Sequence, residues 1–172
     1  MQKHLSSRRH QLRRRFGRAQ TPDIQDPYRH PGKHSGPAFC PDCGAVLEDG
    51  RWQWSSPPPE ADSVRCQACH RIQDNYPAGE LRLVGHFSSQ QRLELEALAR
   101  HQEAEEKQDH PLNRIMKILN EGDAIVITTT DIHLPRRIGQ AVRRAYHGSL
   151  DVHRDDGGYF VRAIWNAKGT PA

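Results

Sequence analysis

Cys40, Cys43, Cys66 and Cys69 form two C-x-x-C pairs separated by 22 residues. Two thiolates two residues apart can grip one tetrahedral ion from a tight turn, and a second such pair completes a four-sulfur site with no open coordination position. That chemistry suits a single structural Zn2+ and not a catalytic metal. Pro41 inside the first pair and Gly44 directly after it fit a sharp knuckle, because proline presets a turn and glycine accepts positive φ. Two other uses of C-x-x-C compete with this one. A thioredoxin-like redox pair needs one such motif near a βαβ pattern, whereas both pairs here lie in Pro- and Gly-rich sequence. Cys66-Gln67-Ala68-Cys69-His70 also matches the c-type haem attachment motif, but the chain has no export signal and carries a second C-x-x-C upstream. His34 and His70 could each replace a cysteine ligand; with four thiols present, neither is assigned to the metal.

The elements that must position these cysteines have little core to draw on. The chain has 172 residues, of which 35% are hydrophobic, with a mean hydropathy of −0.87 and a pI near 9.0. This composition argues for a metal-stapled module beside a compact second domain, not one large core. No apolar run is long enough to span a bilayer and no apolar h-region opens the chain, so a cytoplasmic protein with no membrane partner is expected. Charge is uneven. Residues 1–36 carry nine Lys/Arg against two Asp, or +7 within a whole-chain +4, which leaves −3 for the remainder.

Residues 1–36 read as a disordered basic arm. Arg8, Arg9, Arg13, Arg14, Arg15 and Arg18 repel one another in free solution and would neutralise phosphates on a polyanion. A solubilising tail and a transit peptide are the plainer alternatives. Residues 37–86 read as a zinc-ribbon module: Glu48-Asp49-Gly50 turns a hairpin between Ala45-Val46-Leu47 and Trp52-Gln53-Trp54, and the proline run 57–59 makes a stiff loop before the second knuckle. Trp52 and Trp54 either cover the metal or offer a base-stacking face. Residues 70–79 read as a polar loop leading to a short strand, Leu81-Arg82-Leu83-Val84.

Residues 87–167 read as a small α/β domain, two helices followed by β-α-β-β, giving an α+β chain overall with residues 168–172 as a tail. Ser88 and Gln91 form a capping box that opens a helix to about residue 108. Leu112, Ile115, Met116 and Leu119 follow i, i+3, i+4, i+7, which predicts a short core-facing helix over 111–120. Ala124 to Thr129 is an apolar β-branched run fit for a buried strand. Thr130 or Asp131 can cap the next helix, which accommodates Pro135 in its first turn. On that helix Leu134, Ile138, Ala141, Val142, Ala145 and Tyr146 share one arc, while Arg136, Arg137, Arg143 and Arg144 share the other. Arginine forks suit phosphate, so these four arginines with Thr130 and the arm arginines are the candidate nucleic-acid contacts. An ordinary solvated helix face is the alternative reading. A final hairpin spans Leu150 to Trp165.

The string Phe39-Cys40-Pro41-Asp42-Cys43-Gly44, then Cys66-Gln67-Ala68-Cys69 running through Arg71-Ile72-Gln73-Asp74-Asn75-Tyr76-Pro77, and later Ile127-Thr128-Thr129-Thr130-Asp131-Ile132-His133-Leu134, resembles a family of small bacterial four-cysteine proteins over about residues 38–166. That family in turn is distantly similar to the amino-terminal region of the Nmd-type large-ribosomal-subunit adaptor of archaea and eukaryotes. The chain departs from the adaptor in having two C-x-x-C pairs where the adaptor has more, and in lacking its later domains. The resemblance implies association with structured RNA, ribosomal in particular, with ribosomal proteins as further partners. A non-enzymatic RNA-binding protein without a small-molecule substrate is therefore expected, with a protein-interaction module as the rival. The acids and histidines of Asp131/His133 and Asp151/His153/Asp155 join no nucleophile or open metal position.

Overall fold

The computed structural model describes residues 26–29, 36–155 and 158–168. It is a mixed α/β chain with two sheets and three helices among those residues. The arm arginines Arg8, Arg9, Arg13, Arg14, Arg15 and Arg18, together with His34 and residues 169–172 of the tail, lie outside the described residues.

The first sheet is minimal. Strands β1 (Ala38–Phe39), β2 (Val46–Glu48), β3 (Arg51–Gln53) and β4 (Asp62–Ser63) pair in the order β3-β2-β1-β4. Asp49 and Gly50, at φ 49° and 77°, make the tight β2–β3 turn that the Asp-Gly dipeptide predicts. The second cysteine pair departs from ribbon expectations. Residues 67–74, read in sequence as a knuckle running into a polar loop, form helix α1 (Gln67–Asp74), which ends on Asn75 in the left-handed conformation at φ 52°.

The second sheet has five strands in the order β6-β7-β5-β9-β8: β5 (Gly79–Val84), β6 (Ile115–Glu121), β7 (Ala124–Thr129), β8 (Gly148–Arg154) and β9 (Val161–Ala167). Within this sheet only β5 and β9 run parallel. The strand at 81–84, grouped in sequence with the ribbon, is thus the central strand of the larger sheet. A second correction concerns residues 111–120, where the predicted helix is replaced by β6. The physical reason is a β-bulge between Ile115 and Lys117, across which Ile115 pairs with Thr129 and Ile118 with Ile127. An extra residue lets Ile115 and Ile118 turn to the same face three positions apart, which imitates helical spacing. Gly122 at φ 57° then closes the two-residue turn into β7.

Helix α2 (Ser89–Asp109) opens with the expected reciprocal bonds between Ser88 and Gln91. Helix α3 (Leu134–Ala145) crosses from β7 over β5 and β9 to the edge strand β8, packing against α2 on the same face of the sheet. Leu134, Ile138 and Val142 from α3 meet Leu81, Leu83, Ile127 and Trp165 of the sheet and Leu95 of α2 in one buried core. No helix among the described residues is long and apolar enough to cross a membrane.

Gly148 admits this packing because it has no side chain. A Cβ there would stand 2.3 Å from the Asn166 carbonyl oxygen and 2.6 Å from the Trp165 ring, whereas one at Gly36 would meet nothing within 4 Å. Gly148→Ala is expected to lower unfolding stability by about 2 kcal/mol in urea denaturation, and Gly36→Ala to leave the midpoint unchanged.

Candidate metal centre and basic face

The first cysteine pair sits in the turn between β1 and β2. The Gly44 amide donates to the Cys40 carbonyl at 2.8 Å, the Cys40 amide to the Ala45 carbonyl at 2.8 Å, and Gly44 has φ 78°. The second pair sits on the first turn of α1. Cys66 caps the helix, its Sγ accepting from the Cys69 amide at 3.5 Å, and the Cys66 amide donates to Cys40 Sγ at 3.3 Å. All four sulfurs lie within 4.8 Å of one another, with Cys43 and Cys66 3.8 Å apart. A tetrahedral ion with metal–sulfur bonds of about 2.3 Å needs sulfur separations of about 3.8 Å, so the set fits one structural metal ion. The cysteines are not joined as disulfides, and His70 is outside the sulfur cluster, its ring 6.3 Å from that of Tyr28.

Four thiolates around a divalent cation leave two negative charges, and the structure places a buried cation against them. Arg114, 8% exposed, donates from Nη1 to Cys69 Sγ at 3.5 Å and from Nε to the Pro111 carbonyl at 2.7 Å. Burial alone would lower the Arg114 pKa, yet the cysteines outweigh it and hold the pKa above its ordinary value. The reciprocal effect acts on Cys43: burial pushes its thiol up, but the Ala45 amide and Arg114 bring it down to about 7. Burial dominates at Cys66, whose thiol is raised, and at Cys69, raised to about 11. Trp52 and Leu112 pack over the cluster, while Trp54 reaches away to donate its indole N–H to the Lys107 carbonyl at 2.7 Å. Trp52 is therefore cover for the centre.

Thr130 is a correction. Expected among the phosphate contacts, it is 5% exposed and its hydroxyl donates to the Leu112 carbonyl at 2.6 Å while accepting from the Arg114 amide at 2.9 Å. Its role is to tie the start of β6 to the end of β7. Asp131 does the capping: its Oδ2 accepts from the His133 and Leu134 amides at 2.6 and 3.0 Å. Burial nevertheless raises the Asp131 pKa, outweighing those two bonds.

No protein-family model matches the chain, and no curated protein or solved structure does either.

Arg136, Arg137, Arg143 and Arg144 all emerge on the exposed face of α3, as the helical spacing predicts. Arg137 pairs with the nearly buried Glu106 of α2 at 2.6 Å. Sequence reasoning missed three residues that the fold brings into play. Arg154, at the end of β8, faces α3 across a cleft. Arg71, fully buried on α1, pairs with Asp26 and lies 4.5 Å from the centre of the Tyr28 ring, so residues 26–29, grouped in sequence with the arm, dock on α1. Arg114 carried no local signal for the metal centre, since Thr130 and Cys69, the partners that place it there, are 16 and 45 positions away.

Elemental analysis of the purified protein is expected to find one metal ion per chain, lost on Cys66→Ser. Cys66 and Cys69 hold their protons in the metal-free protein and must release them on binding, so metal affinity is expected to rise with pH. Arg114→Met is expected to weaken metal retention about tenfold in competition with a chromogenic chelator, by removing the cation behind the sulfurs.

Proposed function

We propose that this chain is a non-enzymatic, zinc-stabilised RNA-binding protein of the cytoplasm that acts on the ribosome, in assembly, quality control or dormancy. The observation that carries the reading is the display of Arg136, Arg137, Arg143 and Arg144 on one exposed helix face, of which only Arg137 has an ion-pair partner among the described residues. Their counter-face is fixed by the fully buried Leu134, Ile138 and Val142, so the guanidinium groups are presented by a rigid element. Guanidinium forks match phosphate oxygens, and a row of them tracks a nucleic-acid backbone without reading its bases. The zinc ion holds β1–β3 and α1 together, and the arm arginines add salt-dependent affinity. The choice of the ribosome draws on the resemblance of the cysteine pairs to the metal-binding knuckles of the Nmd-type adaptor. Zinc is the metal that an all-sulfur, closed tetrahedral set in a structural role takes.

A second reading has its own observation. Ile72 and Tyr76 are 45% and 56% exposed on and just after α1. Beside them Asp42, Arg65, Gln73 and Arg114 border a depression of about 420 Å3 next to Cys43 and Cys69. An apolar and hydrogen-bonding surface of this kind fits a protein partner.

Charge reversal at Arg136, Arg137, Arg143 and Arg144 separates the two. Under the RNA reading the quadruple Arg→Glu variant keeps its fold and metal, loses co-sedimentation with ribosomal particles at low salt, and shows a log–log salt slope of RNA binding about four units shallower before binding disappears. A wild-type protein that stays at the top of a sucrose gradient at low and moderate salt, in growing and stressed cells alike, sinks the ribosome reading.

A further inference from the structure

The first half of the exposed row of α3 also forms one wall of a cleft of about 360 Å3. His133, Arg136 and Arg137 supply that wall; Val152 and Arg154 of β8 face them, and Glu106 closes one side. Three guanidinium groups against one carboxylate give the cleft a charge of +2 with His133 neutral. Glu106 is spent on holding Arg137, at 2.6 Å, and its other oxygen accepts from Asn113 at 3.3 Å. Arg136 and Arg154 have no ion pair or hydrogen bond to another described side chain, and both are exposed. Asp131, the nearest further carboxylate on the same segment, turns its Oδ2 to the amides of His133 and Leu134. The cleft therefore holds two uncommitted guanidinium groups from opposite walls and a third fixed in place by its ion pair.

We propose that this cleft binds a terminal phosphomonoester, the phosphorylated end of an RNA strand or a free nucleotide. A phosphomonoester carries about −1.5 to −2 at neutral pH and matches the +2 of the cleft, whereas an internal phosphodiester carries only −1. Forked donors from two directions suit the three terminal oxygens of a monoester better than the two free oxygens of a diester. A cleft walled by α3 and β8 can take a strand end, whereas a continuous backbone would run along Arg143 and Arg144 outside it. The apolar Ile132, Val152 and Val161 line the same space and offer contact to the attached sugar or base. Holding Arg137 in advance lowers the side-chain entropy lost on binding. The proposal rests on the RNA reading only for the source of the phosphate.

Fluorescence anisotropy of the full-length, metal-loaded protein tests it, with one single-stranded oligoribonucleotide carrying a phosphate at its 5′ end, at its 3′ end or at neither, and with adenosine 5′-monophosphate as competitor and, by isothermal titration calorimetry, as a ligand in its own right. One of the phosphorylated forms is expected to bind about tenfold more tightly than the form with two free hydroxyls. Arg154→Ala is expected to erase that difference, while Arg143→Ala combined with Arg144→Ala weakens all three forms alike. Equal binding of the three RNAs, with no competition by the nucleotide, overturns the cleft proposal and leaves the RNA reading standing. Nucleotide binding that Arg154→Ala abolishes, without binding of any RNA, upholds the cleft with a free nucleotide as its ligand and removes the RNA reading. Binding of neither RNA nor nucleotide removes both.

Discussion

A guanidinium buried against sulfur joins the two halves of this molecule. Arg114 sits at the start of β6, where its backbone amide and carbonyl are engaged by Thr130 and its side chain reaches the sulfur cluster at Cys69. Leaving such a cation buried without an anion would cost several kcal/mol. Thiolates holding a metal ion would supply the anion, and the cation would in turn offset the negative charge of a four-thiolate site. Arg114 thereby links the sulfur cluster to this end of the five-stranded sheet. The small sheet of β1–β4 has strands of two or three residues and could not hold the cysteines in place by its own core.

Positioning of the arginine face follows from the larger sheet. Both long helices cover one side of it, and α3 must bury Leu134, Ile138 and Val142 to close the core. Once those are turned inward, a 3.6-residue period leaves Arg136, Arg137, Arg143 and Arg144 no place but solvent. Glu106 then orders one of them, and the edge strand β8 brings Arg154 opposite. A second buried arginine, Arg71, meets Asp26 and the rings of Tyr28, Tyr76 and Tyr159, which fixes residues 26–29 against α1. Tyr159 packs on Ile132 and Val161, two of the residues that line the cleft, so the root of the basic arm lies beside the basic cleft.

What the sequence by itself determined is what neighbouring residues decide among themselves. The cysteine spacing with Gly44, the Asp49-Gly50 turn, the Ser88/Gln91 capping box, the β-branched run of β7 and the two-faced α3 all rest on contacts within a few positions, and all are present in the structure. Tertiary structure decided the rest. The spacing of Ile115 and Ile118 fitted a helix until pairing with β7 and a bulge turned both inward. Strand 81–84 became the centre of the larger sheet because β7 and β9 flank it, and β9 is about eighty positions away in sequence. Thr130 went from candidate ligand to buried tie because Leu112 and Arg114 required its hydroxyl. Whether a polar side chain is buried, and whether two arginines face each other, depends on partners brought from distant parts of the chain, and no local period or propensity encodes those partners.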